Sequence, residues 1–334
     1  VLAFILIISS QSVTNVVSEK EVPNDDEAAR FVVPESLAGV RIDKVLATLM
    51  PEHSRGRIQN WLESGYVQVN HLPAKPRQTT KWGDLISVWA QPAPEDLAYN
   101  PEDVAFDVVG ETPNWLVVHK PVGLVTHPGS GNWGGTLLNG LLFRYPELAS
   151  VPRAGIVHRL DKDTSGLMVV ARTEIAQTHL VRQMQARSVS RTYKALVHGR
   201  TLPQGTIDRA IGRDQKVPVR MTTENPSAPK EAITHYRRIR EGQYETLGVS
   251  ELVCRLETGR THQIRAHLTC LGHPLLGDTL YGGRLAGAIK RQMLHAQSLA
   301  FDDPQTNMRV SFDSPLPADM QAIVDATIWN TLSA

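Results

Sequence analysis

Cysteine is nearly absent from this chain. Only Cys254 and Cys270 occur, which excludes a disulfide framework and, without tight Cys/His spacing, speaks against a structural zinc site. Two lone thiols suit a reducing compartment, so the expected location is the cytoplasm. Aromatic residues are sparse at 6%, and the formal net charge is only +1. Whole-chain charge therefore announces no nucleic-acid binder, and any phosphate contacts must come from local basic clusters. Long apolar runs are missing too. The terminal run from Val1 to Ile8 is too short to span a bilayer and follows no basic segment, so neither a membrane span nor a signal peptide is expected.

What is present describes an ordinary globular protein: 334 residues, 41% apolar and 21% charged, long enough for two cores. Residues 1–33, apolar and then acidic with Glu19, Asp25, Asp26 and Glu27, read as a disordered tail. A mini-domain over 34–91 follows. Ile42, Val45, Leu46 and Leu49 fall at helical spacing, and Pro51 closes that helix. Ser54 is placed to cap a second helix carrying Ile58, Trp61 and Leu62. Tyr66 to Val69 and Leu85 to Trp89 read as short strands. Pro92, Pro94 and Pro101 mark a linker over 92–103.

From 104 to 326 short strands and a few helices mix without a βαβ rhythm. Trp115 to Val118, Leu167 to Ala171, Thr192 to Val197 and Leu252 to Leu256 are the strands that stand out; Thr136 to Arg144 and Glu174 to Ala186 are the helices. That pattern predicts an α+β fold, with a mixed, largely antiparallel central sheet and flanking helices. The segment from Gln215 to Lys230 suggests no role.

Three motifs mislead. Gly129, Gly131 and Gly134 satisfy the dinucleotide fingerprint, but no helix opens on them and no ribose-binding acid follows. Asp161, Asp163 and Ser165 imitate a calcium loop, yet Arg172 stands where the bidentate Glu belongs. His262 and His267 lack the spacing of a metallohydrolase pair, so structural hydrogen bonding is their default role. No metal and no cofactor is expected.

The run His158-Arg159-Leu160-Asp161-Lys162-Asp163-Thr164-Ser165-Gly166-Leu167 is different. A charged loop wedged between two apolar strands is expensive unless it serves a site. On composition alone, a tight Asp/Ser turn with a solvated ion pair explains it equally well. However, the run resembles the signature of the ribosomal large-subunit pseudouridine synthases, whose nucleophile is the Asp after Arg-Leu. Arg191-Thr192-Tyr193-Lys194-Ala195 is similar to the family's second motif, which supplies a Tyr, and Thr258 to Arg265 to its third, which supplies an Arg. Leu275 to Asp278 and Tyr281 to Gly283 resemble a further block. His127 to Asn132 and Pro152 to Val157 look most like the D type. Gly39 to Asp43 with Ser54-Arg55 is similar to the S4 RNA-binding module, so the resemblance covers roughly residues 34 to 326.

The resemblance implies an isomerase that breaks the N-glycosidic bond of a uridine, turns the uracil and rejoins it through carbon. It needs no cofactor. Asp161 would trap the sugar or act at its C2′, as carboxylates can. Because burial favours the neutral carboxyl form, a cation should oppose it; the resemblance implies Arg260, with Arg265 as the fallback. Tyr193 would stack on the base and move the C5 proton. Arg159 would fill the gap left by a flipped base, beside His158. Arg41, Lys44, Arg55 and Arg57, with Lys75, Arg77 and Lys81, would contact phosphates. The implied partner is large-subunit ribosomal RNA or a precursor subunit, bound by a monomer with no membrane association. Alternatives are a synthase of other ribosomal or transfer RNA uridines, or an assembly protein that binds without turnover.

Overall fold

The computed structural model describes residues 28–92, 97–129 and 131–330. The tail expected over the first residues, with Val1 to Ile8, lies outside them, as do the middle of the linker and Ser130. The chain divides into two compact units, Val1–Ala93 and Pro94–Ala334.

The first unit runs β1 (Ala29–Val32), α1 (Ile42–Leu49), α2 (Arg55–Ser64), β2 (Val67–Val69), β3 (Leu72–Pro73) and β4 (Leu85–Val88). Its antiparallel sheet has the order β1-β4-β2-β3. Ile42, Val45 and Leu46 share one face of α1 and bury against Ile58, Trp61 and Leu62 of α2 and Ile86 and Val88 of β4. The Ser54 hydroxyl accepts the Arg57 amide at 3.3 Å, and Gly65, in the left-handed region at φ 84°, ends α2. One expectation is corrected: the tail does not extend to residue 33. Ala29–Val32 pairs with β4, and Phe31 packs on the core. Four residues are too few for their alternation to stand out beside an acidic stretch.

The second unit contains β5 (Asp107–Glu111), β6 (Trp115–Lys120), α3 (Leu137–Arg144), β7 (Ser165–Ala171), α4 (Glu174–Gln185), β8 (Ser190–His198) and β9 (Gln204–Asp208). A small sheet of β10 (Ile211–Arg213), β11 (Met221–Thr222) and β12 (Ser227–Lys230) follows. The chain then returns through β13 (Ile233–Tyr244), β14 (Leu247–Leu256), α5 (Gln263–Cys270), β15 (Leu294–Asp302), β16 (Arg309–Asp313), α6 (Ala318–Ala326) and β17 (Ile328–Trp329). The main sheet has the path β17-β13-β14-β8-β15-β7-β6-β5, with β9 on β13 and β16 on β15. Among the described residues its pairings are antiparallel except β7 with β15. This is the α+β architecture expected.

The apolar runs that marked β6 and β7 are continuous because both faces of the sheet are covered. Leu116, Val118, Met168 and Val170 point into the core beneath α3 and α5. Trp115, Val117, Leu167 and Val169 point to the opposite core, under α4. Each such side chain contributes roughly 1.5–3 kcal/mol by leaving water. The glycine run near Gly131 ends before α3, which opens at Leu137 with Thr136 and Asn139 forming a reciprocal cap.

Candidate active site

The loop carrying Asp161 is fastened by its main-chain carbonyls. Thr126 Oγ1 donates to the Leu160 carbonyl at 2.8 Å. Lys120 Nζ and the Gly123 amide both donate to the Lys162 carbonyl at 3.0 Å, and Arg291 Nη1 reaches the Asp163 carbonyl at 3.1 Å. Gly166 then lets β7 approach β15: its φ is +120°, and a Cβ there would stand 2.2 Å from the Ala296 carbonyl oxygen.

The Asp161 carboxylate faces a cleft of about 550 Å³ lined by Arg159, Tyr193, Arg260, His262 and Arg265, among others. A second cavity of about 420 Å³, lined by His127, Gly129 and Asn132, meets the first at Asp161. The cation that touches Asp161 is Arg265, whose Nη1 donates to Oδ2 at 3.1 Å. Its Nε and Nη2 form a fork on the buried Asp278 at 2.7 and 2.9 Å, and its guanidinium lies 4.9 Å from the Tyr281 ring centre. Burial would lower its proton affinity, but Asp278 and Asp161 outweigh that and raise it, so Arg265 carries a fixed positive charge.

Arg260, the first candidate for that role, is placed elsewhere. It is exposed, and its Nε donates to the Glu231 carbonyl at 2.9 Å. The cause is where α5 begins. Gln263 Oε1 accepts from both the Arg260 amide and Thr258 Oγ1, which closes the turn before the helix. Residue 265 then falls inside the first turn of α5 and faces Asp161, one turn from His262.

Set beside known proteins, the chain finds clear relatives. The profile of the RNA pseudouridylate synthase family matches residues 114–269, and that of the S4 domain matches 40–86. A Neisseria meningitidis serogroup B protein named ribosomal large subunit pseudouridine synthase D is 46% identical over 301 residues, 87% of this chain and 79% of its own length. The chain belongs to the RNA pseudouridylate synthase family. Proteins of the same name from Xanthomonas campestris and Pseudomonas aeruginosa are 45% and 44% identical, over 91% and 86% of this chain and 94% and 92% of theirs. Among solved structures, Human RNA Pseudouridylate Synthase Domain Containing 1 superposes with a TM-score of 0.56 at 29% identity, covering 70% of this chain and 92% of that one.

The other residues expected at the site divide by what holds them. Tyr193, on β8, is 5% exposed and lines the cleft with Asp161. Burial raises its phenol above the usual 10, helped by Asp161 and opposed by Arg191, so it keeps its proton at neutral pH. His158 is held by the fold: its Nε2 accepts the Val169 amide at 3.0 Å, and burial with nearby Arg191 pushes it down to about 3. Arg159 is exposed at the meeting of the two cavities, with Nη1 3.3 Å from His127 Nε2.

Arg41, Lys44, Arg55 and Arg57 belong to the first unit. Arg41 and Arg55 both bind the fully buried Asp43, at 3.1 and 2.7 Å, and Gln59 is a third partner at 3.0 Å. Burial alone would raise that carboxyl, but Arg55, Gln59 and Arg41 together hold it at about 2. Lys44 is exposed, while Arg57 bonds the Gln91 carbonyl and lies over Trp61.

Sequence reasoning missed two residues. Lys120 is wholly buried, and its ammonium donates to the carbonyls of Pro121, Leu124 and Lys162 at 2.9, 2.8 and 3.0 Å. Burial pulls it down to about 7, against the opposing pull of Asp161 and Asp163. His262 is the other: its Nε2 is 3.9 Å from Asp161 Oδ2, whereas His267 keeps the structural role, bonded to Thr234 and the Arg209 carbonyl. The i, i+3 spacing of His262 and Arg265 was the available signal. Among the described residues no group of three or more His, Cys, Asp or Glu gathers as metal ligands would.

Proposed function

We propose that this synthase isomerises uridines of 23S large-subunit ribosomal RNA with Asp161 as its nucleophile. The observation that carries the reading is the Asp161 carboxylate, facing a cleft with Tyr193 on its wall and the fixed charge of Arg265 at 3.1 Å. A cation in that position orients the carboxylate and sets a fixed positive charge beside it. Asp161 acts on the ribose as the N1–C1′ bond breaks, and the detached uracil turns so that C5 meets C1′. Tyr193 supports the base with its ring and can donate its retained proton. Before any of this the target uridine must leave its stack, at a cost of a few kcal/mol that is smallest in loops. Arg159, at the mouth, fills the vacated space.

The choice of ribosomal RNA rests on relatives that carry that substrate in their names and align with nearly the whole chain. Arg41, Lys44, Arg55 and Arg57 in the S4 unit position the RNA through phosphates without reading sequence, and Arg260 adds a contact at the rim. The enzyme works in the cytoplasm as a monomer, a reading supported by a single chain supplying Asp161, Tyr193 and Arg265. The test is pseudouridine mapping of ribosomal RNA from cells lacking the protein and from cells expressing only Asp161→Asn. A cluster of large-subunit pseudouridines should vanish in both, while the purified variant still binds the RNA. Persistence of every ribosomal site would refute the substrate, and full activity of the variant would refute the nucleophile.

A further inference from the structure

Two of the arginines lining the cleft are buried to the same degree, and one of them lacks a counterion. Arg191 and Arg265 are each 7% exposed. Arg265 has Asp278 on one side and Asp161 on the other. Arg191 has no carboxylate within ion-pair distance among the described residues. Its Nη2 donates to the Glu257 carbonyl at 3.3 Å, and its Nε meets no acceptor there. The Glu257 carboxylate is turned to Arg187 and His235, at 3.0 and 2.6 Å. A buried cation without a counterion is costly. The free enzyme carries that cost, and an anion arriving with the substrate removes it.

Arg191 stands where a nucleotide bound at Asp161 would continue. It lies two residues before Tyr193 on β8 and on the same face of the strand, roughly 6.5 Å along it. Its charge reaches the inner cleft. It opposes the rise that burial gives the Tyr193 phenol and adds to the fall that burial gives His158. Gly259, in the turn before α5, leaves room for the guanidinium, since a Cβ there would stand 2.6 Å from Arg191 Nη1.

We infer that Arg191 binds a backbone phosphate of the RNA beside the target uridine, as the buried anchor of the nucleotide whose base meets Tyr193 and whose ribose meets Asp161; the inference rests on the reading of the cleft given above. A phosphate fits better than a uracil carbonyl. It brings a full negative charge to an uncompensated positive one, and the guanidinium fork matches its paired oxygens. A neutral carbonyl would take a hydrogen bond and leave the charge as it was. Of the two buried arginines, Arg265 thus serves the enzyme's own carboxylate and Arg191 the substrate's anion.

The test measures binding by full-length wild type, Arg191→Gln and Arg191→Lys across a range of salt. Two large-subunit RNA fragments are compared, one carrying a uridine that the mapping identifies and one abasic at that nucleotide. Arg191→Gln should lose about 10-fold or more in affinity, by the same factor for both RNAs. Its slope of log affinity against log salt should be shallower by about one phosphate contact. Arg191→Lys should keep the wild-type slope, and it carries the test if Arg191→Gln does not fold. A loss confined to the uridine RNA would set the guanidinium against the base. An unchanged slope in Arg191→Gln, or a lost slope in Arg191→Lys, would make its role structural; each of these results overturns the proposal. Abasic RNA cannot react, so these measurements stand apart from the chemistry: turnover by Asp161→Asn sinks the nucleophile, whereas equal salt slopes in wild type and Arg191→Gln sink only this inference.

Discussion

Two arginines of one motif offer a decisive comparison. Arg265 is 7% exposed and makes three charge-assisted hydrogen bonds, two to Asp278 and one to Asp161. Arg265→Lys keeps the charge but replaces a planar fork by a point charge that reaches one carboxylate at a time. Asp278 is the nearer and more buried partner, so Asp161 loses its bond. A hydrogen bond to a charged group is worth roughly 1.5–3 kcal/mol. If that stabilisation is lost where the reaction develops charge, kcat falls about 10- to 150-fold. Loss of one arm of the Asp278 fork as well brings the total destabilisation to about 3 kcal/mol or more. Arg260→Ala, by contrast, removes an exposed cation bonded to a carbonyl: kcat should hold, KM should rise, and the salt dependence of binding should fall by about one phosphate contact. Single-turnover kinetics on a large-subunit RNA transcript, with urea unfolding of both variants, measures all of this. If Arg260→Ala abolished turnover and Arg265→Lys spared it, the geometric assignment of the cation would be refuted.

Acid should destabilise the fold through buried histidines. His158 and His295 are pushed down by burial to about 3 and about 4, against 6.5 in the unfolded chain. As pH falls below 6.5 the unfolded chain takes up protons that the folded one refuses, so stability drops by about 2 kcal/mol per histidine between pH 7 and 5. Urea unfolding at the two pH values checks this: His158→Gln should remove its own share, and equal stability of the wild type would contradict it. In the S4 unit, Asp43→Asn frees Arg41 and Arg55 from their shared anchor. Roughly 2 kcal/mol of stability should be lost and KM for RNA should rise with kcat unchanged; an unaltered KM would show that the anchor does not shape the RNA-binding surface.

Local periodicity made much of the fold legible. Ile42, Val45 and Leu46 announced α1, Ser54 its neighbour, and the apolar runs of β6 and β7 two strands of the main sheet. β1 escaped notice because four residues carry little pattern. The site was legible as motifs, whereas its geometry was not. Which arginine meets Asp161 depends on where α5 starts, and a left-handed His262 followed by the Gln263 turn decides that. Lys120 reads in sequence as the end of a strand; its three carbonyl acceptors lie on two segments that only the fold joins. The segment around Met221 had no periodicity to read, since its contribution is a main-chain amide and carbonyl offered to a distant tyrosine.

The contact between Asp161 and Arg265 spans 104 residues, and that between Ser165 and His295 spans 130. Ribosomes add roughly 5–20 residues per second, so about 5–20 s separate the making of the carboxylate from the making of its cation. β15, which docks beside the Asp161 loop, comes later still. A growing chain therefore holds Asp161 for many seconds before Arg265 can reach it. The contact closes late, through long-range pairings that are slow by their nature.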